Sequence, residues 1–291
     1  MNTILPFGYP YLKSDLAPEH MRDLTTDNIA TQVPFESVEI QSEGGEYFGQ
    51  NQISKNPITI DRKNKEELFT PSGITTGTSG SGKSVATKIQ ILNTLLYNPG
   101  DRIIIVDPES EYLPIGRKLG AEILDISTGT NNHFNILDLA DRKNLDEDDR
   151  KLDLVKEKTN LLTNLLDEMV GLSASQKGII DRVTQQTYQK YEKPTLFEWQ
   201  EVLKQQTDFG VEELANAMYS YTQGSQNIFA FETNIDLSAP FIIFNTKNLV
   251  NHMKPFAMKV ILDQIWKQVV SYQGQARTWL YFDEIQVNFD T

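Results

Sequence analysis

The sequence predicts an α/β fold: a mainly parallel sheet with a helical subdomain inserted in it. Two observations carry this expectation. The runs Ile103-Ile104-Ile105-Val106, Phe241-Ile242-Ile243-Phe244 and Trp279-Leu280-Tyr281-Phe282 have the length and unbroken apolarity of strands buried on both faces. Helical patterns separate them, as in βαβ units, and between about residues 152 and 222 strand signals vanish altogether.

Taken in order, residues 1 to about 45 are rich in Pro and polar turn formers and read as a connector, the end of a preceding domain. Residues 47–60 alternate apolar and polar positions and are expected to hold two short strands. A turn at Pro71-Ser72-Gly73 leads into a short strand expected at 74–77, and a helix follows over 83–97. Val85, Ile89, Leu92 and Leu96 recur at helical spacing in it, and Pro99-Gly100 ends it. Another strand is expected at 121–126. The run Asp146-Glu147-Asp148-Asp149 reads as a solvated turn and helix start. Helices then extend to about 222, with breaks near Gly171, Pro194 and Gly210. A last helix is expected over 254–272, with Phe256, Val260, Ile261, Ile265 and Val269 near one face. The expected organisation is a connector (1–45), a first core segment (46–140), a helical insertion (141–235) and a second core segment (236–291), truncated at its C-terminus.

Composition narrows the function. A hydrophobic fraction of 39% in 291 residues suffices for a sizeable core. Lys plus Arg number 27 against 40 for Asp plus Glu, a net charge of −13 that argues against a large basic nucleic-acid surface while leaving a local basic loop open. Without cysteine, disulfides and thiolate metal sites are excluded. His20, His133 and His252 lack metal-ligand spacing and read as structural or solvated. Met1-Asn2-Thr3-Ile4-Leu5-Pro6 lacks the charged start and apolar run of a secretory leader, and no stretch approaches the roughly 20 apolar residues of a membrane span. The expectation is a cytoplasmic protein whose membrane contact, at the cytoplasmic face, runs through partners.

Gly77-Thr78-Ser79-Gly80-Ser81-Gly82-Lys83-Ser84 fits G-x-x-x-x-G-K-[ST] at every fixed position. Glycines let successive backbone N–H groups curl around one anion, and the helix N-terminus adds its partial positive charge at the same point. Lys83 would sit on the β- and γ-phosphates and Ser84 would coordinate Mg²⁺, so ATP and Mg²⁺ are the expected ligands and Gly77 through Val85 the nucleotide-binding set. Such a loop needs an acid at a nearby strand end. Asp283 and Glu284 follow the strand 279–282; Asp283 would steer the metal through its water and Glu284 would polarise the attacking water. Asp107 and Glu111, after 103–106, are secondary candidates, and sequence alone leaves that strand open as the metal-side one. Arg62, Arg182 and Arg277 could each reach a neighbouring subunit's nucleotide, and nothing in the sequence selects one.

With these motifs in order, the chain resembles the large conjugation ATPases of type IV secretion systems, the VirB/TraE-type traffic ATPases, in the branch found in Gram-positive bacteria and their integrative elements. The resemblance rests on Gly49-Gln50-Asn51, Ser54-Lys55-Asn56 and Asp61-Arg62-Lys63 as the lead-in, Gly77 to Ser84 as the phosphate loop, and Asp107-Pro108-Glu109 with Glu111-Tyr112. His133-Phe134-Asn135-Ile136-Leu137-Asp138 and the segment from Leu280 to Gln286 complete it. It implies a RecA-like motor of the FtsK/HerA kind that assembles into a homo-oligomeric ring, a hexamer when full length. The implied place is the base of a secretion channel beside coupling proteins, with DNA or a DNA-bound relaxase as substrate. Family members carry a substantial N-terminal domain and continue past the acidic pair, so this chain is expected to be a fragment. Two rivals remain: a DNA-pumping translocase of the same superfamily, and a non-hydrolysing module whose assembly ATP gates. A small-molecule kinase fits the loop alone, with no acceptor-binding signature beside it.

Overall fold

The computed structural model describes residues 40–66, 68, 70–140 and 153–284. Positions 1–39 of the expected connector, His20, the acidic run Asp146-Glu147-Asp148-Asp149, and Ile285 and Gln286 lie outside the described residues. The chain divides into two units, Met1–Gly73 and Ile74–Thr291.

In the first unit, β1 (Glu46–Gln50) and β2 (Pro57–Ile60) form an antiparallel hairpin. The register slips between Tyr47 and Gly49, which leaves Phe48 as the extra residue of a bulge. The Asn51 side-chain oxygen closes the turn by accepting the N–H groups of Ile53 and Ser54 at 2.8 and 3.2 Å. The Arg62 guanidinium lies 5.4 Å from the centre of the Phe48 ring.

The second unit opens on α1 (Lys83–Tyr97), followed by β3 (Arg102–Asp107), α2 (Leu113–Leu119) and β4 (Glu122–Asp125). Among the described residues five helices come next: α3 (Leu154–Val170), α4 (Ala174–Lys190), α5 (Leu196–Lys204), α6 (Val211–Ala217) and α7 (Tyr219–Thr222). The chain then returns to the sheet with β5 (Phe241–Asn245), α8 (Lys254–Ser271) and β6 (Thr278–Phe282). The sheet runs β4-β5-β3-β6 and every neighbouring pair is parallel. β3 and β5 are buried at every position, as their unbroken apolar runs require.

Successive side chains of β3 serve opposite faces. Ile103 and Ile105 pack with Ile91 of α1, Tyr112, Ile243 and Trp279. Ile104 and Val106 pack with the larger cluster that includes Leu162, Trp199, Phe244 and Val260. The crossover through α2 runs from β3 past β5 to β4, whereas that through α8 runs from β5 past β3 to β6. Two crossovers of one hand travelling in opposite directions place their helices on opposite faces, so the sheet is covered on both.

The helical stretch ends where its composition says. Gly171 caps α3 with a φ of 67°, Gly210 precedes α6 with a φ of 92°, and Pro194 falls in the link before α5. Ser173 with Gln176 and Thr195 with Glu198 form capping boxes that start α4 and α5.

One expectation requires correction. Residues 74–77 are not a strand; the segment is irregular and Ile74 is 92% exposed. Strand geometry needs a neighbour to exchange ladder hydrogen bonds, and none of the described strands lies against it. The stripe Val85, Ile89, Leu92 and Leu96 lies on the outer side of α1, with Val85 61% and Leu96 75% exposed. The helix carries a second apolar row, Ile91 and Leu95, and that row packs on the sheet.

Candidate nucleotide-binding site

Parallel sheets gather their ligands at the carboxyl ends of the strands. β3 and β6 are neighbours, with Val106 opposite Phe282 in the register, so Asp107 and Asp283 emerge side by side. The Asp283 N–H donates to the Val106 carbonyl at 3.2 Å, which continues the ladder into the acidic pair.

The loop from Gly77 to Ser84 leads straight into α1. Gly82 stands before the helix with a φ of 93°, a left-handed conformation that a side chain would strain. A Cβ on Gly77 would come within 2.4 Å of Ser81 Oγ and 3.2 Å of Lys83 Cγ. No side chain caps α1 and its first turn carries no acid, so its first N–H groups and positive dipole end face outward. Thr78, Ser79, Gly80 and Ser81 are exposed, and Lys83 and Ser84 are half-buried at the helix start. Val85 faces solvent on α1, away from the sheet.

The structure brings Lys83 and Glu284 together, with Nζ 3.5 Å from Oε1. Glu284 has a φ of 41°, unusual for a residue with a side chain, and donates its N–H to Asp283 Oδ1 at 3.1 Å. Burial chiefly pushes the Asp283 carboxyl up from its ordinary value, and the charges of Glu111, Glu284 and Asp107 add to that, against the Glu284 N–H. Four carboxylates therefore converge here, facing two lysines.

Asp107 is wholly buried and does a different job from its neighbours. Its carboxylate accepts the N–H groups of Glu109, Glu111 and Tyr112 at 3.3, 3.0 and 2.8 Å. Burial raises its pKa, and these hydrogen bonds oppose the rise. The turn so fixed presents Glu111 to Lys88, with Oε2 3.9 Å from Nζ. Lys88 also lies 5.3 Å from the centre of the Tyr112 ring. Burial and the Asp283 charge raise the Tyr112 hydroxyl, which a hydrogen bond from the Thr87 side chain counters. Thr87 and Lys88, on the second turn of α1, were not among the residues the motif singled out. The spacing of five residues from Lys83 to Lys88 carries no phosphate-loop signal that could have found them.

Of the three arginines, Arg182 pairs with Asp208, Arg277 with Asp101 at 3.2 Å, and Arg62 rests on Phe48. His133 stacks near Phe231 at 4.4 Å, and His252 bonds Gln226 at 2.9 Å. Among the described residues no cluster of His, Asp or Glu forms a self-contained metal cage. The donor set of Ser84 and Asp283, one hydroxyl and one carboxylate, suits a Mg²⁺ that arrives with phosphates and keeps its waters.

The family model described as helicase HerA, central domain (DUF87), matches residues 54–269. Among solved structures, the chain is similar to VirB4 of Thermoanaerobacter pseudethanolicus, with a TM-score of 0.70 and 20% identity over 87% of this chain and 70% of that one. It also matches the bacterial conjugative coupling protein TrwBdeltaN70 in complex with sulphate, at a TM-score of 0.41 and 16% identity over 72% of this chain and 55% of that one. No curated protein matches it by sequence. At 20% identity the likeness to VirB4 establishes the fold.

Proposed function

This chain belongs to the helicase HerA central-domain family, and on that premise we propose that it binds and hydrolyses ATP to drive type IV secretion, moving a DNA–protein substrate during conjugation. The single observation that carries the reading is the meeting of Lys83 and Glu284 in front of an uncapped helix N-terminus. A polyphosphate seated there meets backbone N–H groups from Gly77 to Val85, with Lys83 on its outer phosphates. Ser84 and Asp283 would hold Mg²⁺, which would supply charge neutralisation to the phosphates. Glu284 polarises the attacking water and Glu111 adds to the negative wall beside Asp283. Asp107 holds the turn that carries Glu111.

The fold is the one VirB4 of Thermoanaerobacter pseudethanolicus has; together with the motif resemblance to the conjugation ATPases, this supports placing the motor at a secretion channel, as a ring of identical subunits beside coupling proteins. No helix among the described residues is long and apolar enough to cross a membrane, so contact at the cytoplasmic face of the membrane would run through partners.

Phosphate release with ATP and Mg²⁺, measured beside nucleotide affinity, tests this. Turnover in the wild type is expected, with loss of nucleotide in Lys83→Ala and binding without turnover in Glu284→Gln. Binding that never leads to release in the wild type, at any protein concentration, would sink the motor and leave an ATP-gated module. A second reading, a DNA-pumping translocase, is favoured by the helicase in the family's description. Stimulation of phosphate release by bare DNA, falling steeply with salt, would select it.

A further inference from the structure

Lys83 carries two obligations that compete for one ammonium. In the loop chemistry it belongs to the β- and γ-phosphates. In the structure its Nζ lies 3.5 Å from Glu284 Oε1, with both side chains about one-third exposed, at 32% and 31%. The backbone that carries this carboxylate is held in place. Glu284 follows directly on β6, whose Phe282 packs into the larger core. Its own N–H is held by Asp283 at 3.1 Å, and the Asp283 N–H is held by Val106 at 3.2 Å. Its φ of 41° is one of only three positive values among described non-glycine residues, which shows a position imposed by its surroundings.

We infer that the Glu284 carboxylate is an internal surrogate for phosphate: it occupies the Lys83 ammonium until a ligand bearing a β-phosphate displaces it, and is released for catalysis only then. This rests on the nucleotide reading of the loop and adds a regulation to it. A nucleoside monophosphate does not reach Lys83 and leaves the pair intact. A diphosphate or triphosphate must break it, so its affinity carries the cost of the lost pair. The carboxylate that polarises water is thereby withheld from an empty site and delivered when there is a phosphate to hydrolyse.

Calorimetric titration of AMP, ADP and the non-hydrolysable AMP-PNP, in EDTA so that metal plays no part, tests this in the whole chain. Glu284→Gln should tighten ADP and AMP-PNP about two- to fivefold, the range of a part-exposed ion pair, and leave AMP unchanged. Glu111→Gln removes the same charge from the same cluster but pairs with Lys88 instead, and should shift all three ligands alike or not at all. Far-ultraviolet dichroism and melting curves confirm that each variant folds. No change in Glu284→Gln, or equal tightening of AMP, would overturn the surrogate while the loop assignment stands. If no nucleotide binds the wild type and Lys83→Ala changes nothing, the loop assignment itself falls, and the surrogate with it.

Discussion

Asp107 and Tyr112 are joined across the turn that ends β3: the Asp107 Oδ2 accepts the Tyr112 N–H at 2.8 Å while Oδ1 takes those of Glu109 and Glu111. With both oxygens committed to backbone, Asp107 organises the turn, and a metal is left to other donors. Asp107→Asn keeps the shape but replaces one accepting oxygen with a donor facing an N–H. The expected loss is about 1–3 kcal/mol in urea unfolding, the range for a buried group left unsatisfied. A stability equal to the wild type would show that the turn does not depend on the carboxylate.

Gly82→Ala should act through the backbone. At a φ of 93° an added Cβ strains the residue just before α1, and it would meet no neighbouring atom within 4 Å that could confuse the result. A cost of about 1–3 kcal/mol is expected, together with weaker nucleotide binding as the loop relaxes. Unchanged melting and unchanged affinity would refute the strain argument.

Lys158 offers a pH signature. It is 4% exposed, pairs with Asp263 at 2.8 Å, and shares that carboxylate with Lys267 at 2.9 Å; Asp138 and the Tyr188 hydroxyl belong to the same cluster. Burial, then the Lys267 charge, push its pKa down to about 8 from 10.5, against the pull of Asp263. Below about pH 8 both folded and unfolded chains hold the proton, and the penalty is constant. Between about 8 and 10.5 the unfolded chain binds more proton, so this group's contribution to stability rises with pH. Relative to Lys158→Met, the wild type should gain on the order of 1–3 kcal/mol across that window. Parallel stability curves for the two proteins would exclude it.

Burial separates two leucines that the sequence treats alike. Leu162 of α3 is 0% exposed and Leu96 of α1 is 75% exposed. Leu162→Ala should cost about 2–5 kcal/mol, and Leu96→Ala no more than about 0.5 kcal/mol. Equal effects in denaturant melts would mean that the outer row of α1 is covered in solution.

Much of this was legible in the residues. The phosphate-loop helix, the three long apolar strands and the breaks at Gly171, Pro194 and Gly210 stood out because period and punctuation are local properties. α2 was missed: it has seven residues and includes Pro114 and Gly116, and its stability comes from Leu113 and Ile115 on the sheet. The strand expected at 74–77 failed for a related reason, since a strand is completed by a partner that no local pattern specifies. At the site, the loop pattern singled out Lys83 and the strand end singled out Asp283 and Glu284, and the fold brings Lys83 and Glu284 together; the contacts of Lys88 with Glu111 and Tyr112 arise only when β3 and α1 are packed together. The direction in which α1 turns its two apolar rows was equally out of reach, because both rows satisfy the same period.

That outward row sets the colloidal behaviour of the isolated protein. Val85, Ile89, Leu92 and Leu96 offer other molecules a greasy strip, while a net charge of −13 keeps those molecules apart. The two effects differ in range: repulsion between like-charged molecules fades over a Debye length of about 8 Å at physiological salt and about 3 Å at 1 M, whereas contact between apolar surfaces does not weaken. Clear solutions are therefore expected in dilute buffer, with light scattering that climbs as salt is added.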